Sequence, residues 1–376
     1  MNKIHITLVG GQPLPVYLGI VNDLDCEKVI YIHSESSLEE AQTIQKTLDK
    51  ECSFTLCSPT DLSQIKDTAL RLRKETENHD VTINITSGTK PWSLIFHQCF
   101  LDHPTARHIY IDQLNRCHDL KNYSTQQLTI DIFKRFELYG TPLTKYTLIE
   151  HYSAKDTSAI RFIEKARYQN IGAFTDLTNR SEEAYNDAEG EIFSPNGSKM
   201  TWNWDENWVE FEMVGHGGHR LSPVYIEFDH AKELVLNTAW FELKTALEIN
   251  RNPNVKAIYL NCEFLSEGDR AKNEIDIIAD FGTRLLFVEC KTMIKEITAI
   301  DKFRSAMRNF SGTSSTGLFV TNDRAVNGYR HELYQAAMEK CKDNAILTFN
   351  FGFWDKSNST SLNAIIDNII AKTNKR

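Results

Sequence analysis

The sequence predicts an α/β protein of two domains, and three observations carry that prediction. Apolar strand-length runs alternate with helical stretches from Ile4 to Asp112, the pattern of a parallel, doubly wound sheet with helices on both faces. At 376 residues the chain is too long for one ordinary core and fits two domains, with room for a small connector. Further along, the order changes to a helix, three strands, a helix and another strand, with no internal repeat of the first half.

Ile4 to Val9 is the first strand and ends at Gly10-Gly11-Gln12-Pro13. Lys28 to His33 is the second, and Ser36-Ser37-Leu38-Glu39-Glu40 after it has the hydroxyls and early acids of a helix start. Ser53 to Cys57 is the third, followed by helical periodicity over Asp61 to His79. Val81 to Ile85 is the fourth, ending in a glycine-containing turn before an apolar helix from Trp92, and His108 to Asp112 is the fifth. From 114 to 150 the pattern is irregular, with one strand-like run at Gln127 to Phe133. Thr157 to Tyr168 reads as a helix, and 177–207, rich in Asn, Asp, Glu, Gly and Ser, reads as a loop or flexible insert.

Trp208 to Val214 and Val224 to Asp229 then alternate as a hairpin around Gly215-His216-Gly217-Gly218. A helical stretch (Ala231 to Asn250), a strand (Val255 to Asn261), two more strands, a helix (Ile297 to Phe310), a strand (Gly317 to Thr321), a helix (Ala325 to Cys341), a strand (Ala345 to Phe349) and a terminal helix complete the chain. His216 and His219 lack further His or Cys at ligand spacing, so they read as incidental to a turn. Trp202, Trp204 and Trp208 could stack bases, but a core role suits most of them better.

No apolar run approaches a membrane span, and the first residues lack the long apolar region of a signal peptide. The eight cysteines are scattered without a C-x-x-C pair, which disfavours zinc and disulfide frameworks and suits a reducing cytoplasm. A net charge of −9 argues against nonspecific coating of nucleic acid, while leaving room for a local basic groove.

The chemistry concentrates in two adjacent strands, Asn273-Glu274-Ile275-Asp276-Ile277-Ile278 and Leu285-Leu286-Phe287-Val288-Glu289-Cys290-Lys291, joined by Phe281-Gly282-Thr283-Arg284. Side chains two apart on a strand share a face, so Glu289 and Lys291 project together and the partner strand can deliver Asp276 beside them. A Glu and a Lys at the end of an otherwise apolar strand need a reason to be there. Two carboxylates and an ammonium make a site for a divalent cation and a polarised water. This stretch resembles the active site of PD-(D/E)xK nucleases, and the helix–strand order around it is that of their core. The resemblance implies Asp276, Glu289 and the backbone carbonyl of Cys290 as ligands of Mg²⁺ or Mn²⁺, with Lys291 orienting the attacking water. Trp240-Phe241-Glu242 is similar to the family's G-x-W-L/F-E helix sequence, which adds Glu242 to the site; Thr238 stands where that pattern has glycine. Glu274 is a weaker candidate.

In the first half, Asn84-Ile85-Thr86-Ser87-Gly88-Thr89-Lys90 follows the fourth strand. Small residues, hydroxyls and helix-start amides at the carboxyl end of a parallel strand suit an anionic ligand, with Lys90 as a point charge. Gly10, Gly11 and Gln12 end the first strand in the same way. Neither G-x-x-x-x-G-K-S/T nor G-x-G-x-x-G is present, which disfavours an ordinary nucleotide site. The run Asn84 to Lys90 instead resembles the ligand motif of CARF domains, the Rossmann-like sensors of CRISPR-associated proteins, with Ser87 replacing the commoner glycine.

Together the two resemblances point to the cyclic-oligoadenylate-activated effector nucleases of type III CRISPR systems. They imply a Rossmann-like CARF domain over 1–140, a connector or insert over 141–207, and a restriction-endonuclease-like PD-(D/E)xK domain over 208–376. They also imply a homodimer whose two CARF domains share one cyclic tetra-adenylate, each protomer touching half of the ring, and metal-dependent cutting of RNA or DNA with little sequence preference. Two alternatives stay open: an ungated repair or restriction-like nuclease, and a ligand-binding regulator with an inactive second domain.

Overall fold

Parallel pairing organises the first part of the chain. The structure is a computed structural model that describes residues 2–179, 181–236, 238–265, 274–311, 315–324, 329–352 and 361–374. β1 (Lys3–Leu8), α1 (Pro13–Asn22), β2 (Lys28–His33), α2 (Leu38–Lys46), β3 (Glu51–Leu56), α3 (Leu62–Glu75), β4 (Asp80–Asn84), α4 (Lys90–Phe100) and β5 (Arg107–Ile111) form the expected doubly wound unit. β6 (Arg116–Asp119) and β7 (Ser124–Gln127) add two antiparallel strands. The sheet order is β3-β2-β1-β4-β5-β6-β7, so the winding reverses between β1 and β4, where a crevice opens at the carboxyl ends of the strands. One face of the sheet buries Ile6, Leu8, Ile32 and Ile83 under Trp92, Phe96 and Phe100 of α4. The other buries Val29, Tyr31 and Ile109 under Leu14, Leu18 and Ile20 of α1.

The run Gln127 to Phe133, expected as a strand, is instead the end of β7 and the entry to α5 (Ile132–Leu138). Asp131 explains the difference: its side chain accepts hydrogen bonds from the backbone N–H groups of Phe133 and Lys134 and starts a helix there. α5 is shared between two cores. Ile132 and Phe136 pack with Phe264 and Phe287 of the C-terminal half, whereas Leu138 packs with the N-terminal one.

The stretch 141–207, expected as a connector, contains β8 (Leu143–Leu148), α6 (Ala154–Gln169), α7 (Ile171–Asn179), α8 (Ser181–Asn186), β9 (Glu189–Phe193) and β10 (Lys199–Asn203). With β11 (Trp208–Glu212) and β12 (Val224–Glu227) the last two form a small antiparallel sheet, β12-β11-β10-β9, so the boundary expected at 207/208 falls between two of its strands. Its polar composition masks the alternation, because only every second residue (Met200, Trp202) turns inward. Gly190 is needed opposite Trp202, since a Cβ there would lie 2.7 Å from the indole ring.

The third sheet collects α9 (Ala231–Leu236), α10 (Ala239–Asn250), β13 (Ala257–Phe264), β14 (Glu274–Asp280), β15 (Leu285–Lys291), α11 (Thr298–Ser311), β16 (Ser315–Thr321), α12 (Tyr329–Asp343), β17 (Leu347–Asn350) and α13 (Leu362–Asn374) around it. Its order is β17-β16-β15-β14-β13-β8, parallel from β15 to β17 and antiparallel elsewhere. Trp240, Phe241 and Leu243 of α10 cover one face over Leu260, Ile277 and Val288. Ile300, Phe303 and Ala337 cover the other over Ile275, Phe287 and Phe319. Asn237, Asn273 and residues 325–328 of the expected elements lie outside the described residues.

Candidate active site and ligand pocket

At the crevice of the first sheet, the loops after β1 and β4 meet closely enough that a Cβ on Gly10 would lie 2.9 Å from the Gly88 nitrogen. Gly88 has φ +79°, a left-handed conformation that glycine adopts without cost, and so the chain can turn towards α4 there. Between the loops lies a pocket of about 320 Å³. Of the residues singled out in the sequence, Gly10, Gly11, Gln12, Thr86, Ser87 and Gly88 line it. Asn84, Thr89 and Lys90 do not.

Asn84 works behind the wall. Buried at the end of β4, it donates to the Pro15 carbonyl at 3.2 Å and accepts from the Thr86 N–H at 3.1 Å and the Thr86 hydroxyl at 2.5 Å. Thr86 Oγ1 in turn accepts from the Ile111 N–H at 2.7 Å, tying the loop to β5. Thr89 caps α4, accepting from the Trp92 N–H at 3.4 Å, and Lys90 is exposed at the first residue of that helix. Sequence reasoning missed Tyr110, Asp112, Asn115 and Tyr139, which also line the pocket. The first two stand at the carboxyl end of β5, a position the same strand-end rule could have flagged; Asn115 and Tyr139 arrive from irregular sequence that gives no such signal.

In the C-terminal sheet, β14 and β15 pair in register from Asp280↔Leu285 to Ile277↔Val288, and the ladder stops there. Beyond it the Cys290 N–H donates to Asp276 Oδ2 at 2.6 Å, so a side chain replaces the missing backbone acceptor and holds Asp276 beside β15. Lys291 Nζ lies 2.6 Å from Glu289 Oε1 and 3.7 Å from Asp276 Oδ2. Asp276, Glu289 and Lys291 thus come together, with side chains 17%, 12% and 37% exposed. Glu242, from the first turn of α10, joins Asp276, Lys291 and Glu274 in lining an open cleft of about 950 Å³.

The electrostatics of this group are those of crowded acids. Burial, and then the neighbouring Asp276, push Glu289 up to about 7. The same two causes hold Glu242 well above the usual carboxyl range. Burial also raises Asp276, against the opposing pull of Lys291 and the Cys290 N–H. For Lys291, burial alone would depress the amine, but the carboxylates of Asp276 and Glu289 outweigh it and hold the ammonium charged. Glu242 Oε2 is buried without a hydrogen-bond partner among the described residues. Among those residues no group of three or more His, Cys, Asp or Glu side chains forms a ready-made metal cage.

The cleft has a second wall that the sequence did not announce, with Lys145, His230, Lys232 and Glu233. Asp156, fully buried in α6, accepts from His230 Nδ1 at 2.8 Å and from the His230 N–H at 2.9 Å, which leaves His230 Nε2 as the open ring nitrogen. Its pairing partner is 74 residues away in sequence, which is why no local motif betrays it.

Thr238, the residue at the glycine position of the helix motif, has φ +58°. A β-branched residue in the left-handed region is strained, which gives glycine there a physical reason. Thr238→Gly is expected to stabilise the fold by about 1 kcal/mol. Thermal melting checks this, and a lower midpoint would show that the threonine side chain contributes more than its strain costs.

Residues 4–139 match the family model described as the Card1 CARF domain. The N-terminal unit is therefore a Rossmann-like CARF domain, and a second, mixed α/β unit follows it, in keeping with the two-domain α/β class expected from the sequence. The chain is similar in fold to Can2 from Sulfobacillus thermosulfidooxidans in complex with cyclic tetra-adenylate, with a TM-score of 0.67 and 17% identity, covering 93% of this chain and 95% of that one. Protein VC1899 from Vibrio cholerae is similar at a TM-score of 0.69 and 14% identity, covering 93% and 94%. A type III CRISPR defence DNA nuclease activated by cyclic oligoadenylate gives 0.58 and 14% identity, covering 99% of this chain but 52% of that one. No curated protein matches the sequence. Among the described residues no helix is long and apolar enough to cross a membrane.

Proposed function

We propose that the chain is a type III CRISPR effector of the cytoplasm, a metal-dependent endonuclease that cuts RNA or DNA once its CARF domain binds cyclic tetra-adenylate. The observation that carries this reading is that Lys291 brings Asp276 and Glu289 together, while Lys291, Asp276 and Glu242 line one open cleft. Burial raises all three carboxyls, Glu242 and Glu289 further because Asp276 is beside them, and a hard divalent cation would offset that cost. Asp276, Glu289 and the Cys290 carbonyl would hold Mg²⁺ or Mn²⁺, a set short enough to leave positions for substrate phosphate oxygens. When bound, the cation would polarise the scissile phosphate and lower the pKa of a water. Lys291, held charged by its two carboxylate neighbours, orients that water and stabilises negative charge developing on the phosphate. Glu242 completes the acidic wall of the cleft.

The pocket supports pairing of two chains. About 320 Å³ is at the small end of ligand sites, which run from about 300 to 1,000 Å³, and a ring of four nucleotides needs more. In a two-fold homodimer each CARF domain would contact half of the ring. Lys90, at the start of α4, would meet its phosphates as a mobile point charge. Lys90→Ala is expected to weaken cyclic tetra-adenylate binding by up to about tenfold, or about 1.4 kcal/mol, and to leave Mn²⁺ binding unchanged. Calorimetry with each ligand reads both, and equal ring affinity would remove Lys90 from the site.

The deciding experiment is cleavage of plasmid, single-stranded DNA and RNA with Mn²⁺, with and without cyclic oligoadenylates of several ring sizes. Cutting that appears only with a ring supports the gated nuclease. Cutting without any nucleotide would replace it by an ungated one, and no cutting together with no Mn²⁺ site would leave a ligand-binding regulator.

A further inference from the structure

The ligand pocket and the catalytic strands are joined by a direct hydrogen-bonded contact. Thr283 sits in the turn between β14 and β15, where Gly282 has φ +82° and the Phe281 N–H donates to the Arg284 carbonyl at 3.0 Å. The Thr283 carbonyl accepts from Asn115 Nδ2 at 3.0 Å and from Arg135 Nη2 at 3.3 Å, one donor from beyond β5 and one from α5. Asn115 is one of the residues lining the N-terminal pocket, held in a left-handed conformation at φ +58° after β5.

Arg135 lies on the face of α5 between the two cores and is 1% exposed. Among the described residues its Nε and Nη1 have no hydrogen-bond partner, an expensive condition for a buried guanidinium that serves packing poorly. Four residues on, Tyr139 lines the pocket, and its hydroxyl lies 3.5 Å from Gln12 of the β1 loop. One residue after Arg135, Phe136 packs edge-on against Phe287 of β15 at 6.4 Å between ring centroids, two positions before Glu289. A short helix therefore touches the pocket at one end and the catalytic strand along its side. From Thr283 the strand runs roughly 20 Å to Glu289, at about 3.4 Å per residue, as a rigid paired ribbon.

We propose that Asn115 and Arg135 are positioning residues: through the Thr283 carbonyl they transmit occupancy of the N-terminal pocket to the β14–β15 hairpin and set the alignment of Asp276, Glu289 and Lys291. The inference rests on the reading of the chain as a ring-activated nuclease. It adds a route within one protomer to whatever the pairing of two protomers contributes. A ligand that moves Asn115 must move or break its bond to the turn, and Arg135 holds donors ready for a second arrangement of the same turn.

The test uses the full-length protein with cyclic tetra-adenylate and compares Arg135→Met, Arg135→Lys and Asn115→Ser with the parent. Hydrogen exchange over 274–291 is expected to change when the ring binds the parent protein. Arg135→Met should bind the ring within about threefold of the parent, show the same half-activating ring concentration, and lose at least about tenfold of the maximal stimulation of cutting. Arg135→Lys, which keeps the charge and a donor, should recover part of it. A purely structural Arg135 would shift the melting temperature without separating activation concentration from maximal rate. Should Arg135→Met fold poorly, Asn115→Ser carries the same loss of stimulation, read at saturating ring so that any change in its affinity drops out. Full stimulation in folded Arg135→Met or Asn115→Ser, or exchange over 274–291 that ignores a bound ring, would overturn the inference. Exchange that responds to the ring in a protein that cuts nothing would sink the nuclease reading and leave this coupling standing.

Discussion

Lys291→Ala is expected to lower strand cleavage by at least about 10²- to 10³-fold, the usual cost of removing one group aimed at charge that develops in the transition state. The size follows from how the amine is held. Its partners Glu289 and Asp276 keep it charged and fix its direction, so no solvent molecule reproduces its place. Ring binding, some distance away in the CARF domain, should be untouched, and single-turnover cleavage beside calorimetry separates the two. A variant that cuts within a few-fold of the parent would remove Lys291 from the chemistry. Glu289 adds a pH dependence with a definite sign. Its carboxyl, pushed up to about 7, must lose its proton to bind a cation. Cleavage at fixed Mn²⁺ should therefore rise with pH through about 7 and level off above it, with Glu289→Gln losing both the activity and the limb. A cation that binds tightly will draw the midpoint lower, so raising Mn²⁺ should move the limb towards acid. A profile flat between pH 6 and 8 at every Mn²⁺ concentration would contradict the assignment.

The second large effect belongs to Gly88→Ala. At φ +79° an alanine pays about 1–2 kcal/mol for the left-handed backbone alone. Its Cβ would also lie 2.6 Å from Trp92 Cε3 and 3.3 Å from Leu8 Cβ. Trp92 cannot yield, because it is 1% exposed and its indole N–H donates to the Ser58 carbonyl at 2.7 Å. The loop must move instead, carrying Thr86 and Ser87 out of the pocket wall. Cyclic tetra-adenylate affinity is expected to fall by at least about tenfold, about 1.4 kcal/mol, with a melting point lower by a few degrees. Calorimetry and thermal melting decide it, and unchanged affinity would show that this loop does not hold the ring.

How much of this was legible in the sequence depends on whether the information is local. The parallel sheet was, because each of its strands is an apolar run closed by a turn or a helix start. So was the Asp276, Glu289 and Lys291 group, since a period of two along one strand and a single turn between two strands suffice to bring it together. The small sheet of β9 to β12 was hidden by polar residues on its outer face, and α5 by a capping Asp131 that sequence periodicity does not weigh. His230 with Asp156, and Asn115 with Thr283, were out of reach because their partners are 74 and 168 residues apart. The motif asparagine Asn84 taught a different lesson. Its residue type suggested ligand contact, yet among the described residues its side-chain hydrogen bonds go to Pro15 and Thr86, so in this chain it shapes the wall that others present.

Helix α5 gives Ile132 and Phe136 to one core and Leu138 to the other, all three of them nearly inaccessible to water. Severing the polypeptide after residue 140 would therefore strip two large apolar side chains of their cover and expose them on the sensor fragment. Phe136 alone would forfeit its edge contacts with Phe264 and Phe287. A sensor half expressed by itself should tend to self-associate through that bared stripe, and its oligomeric state in isolation would say little about how the intact protein assembles.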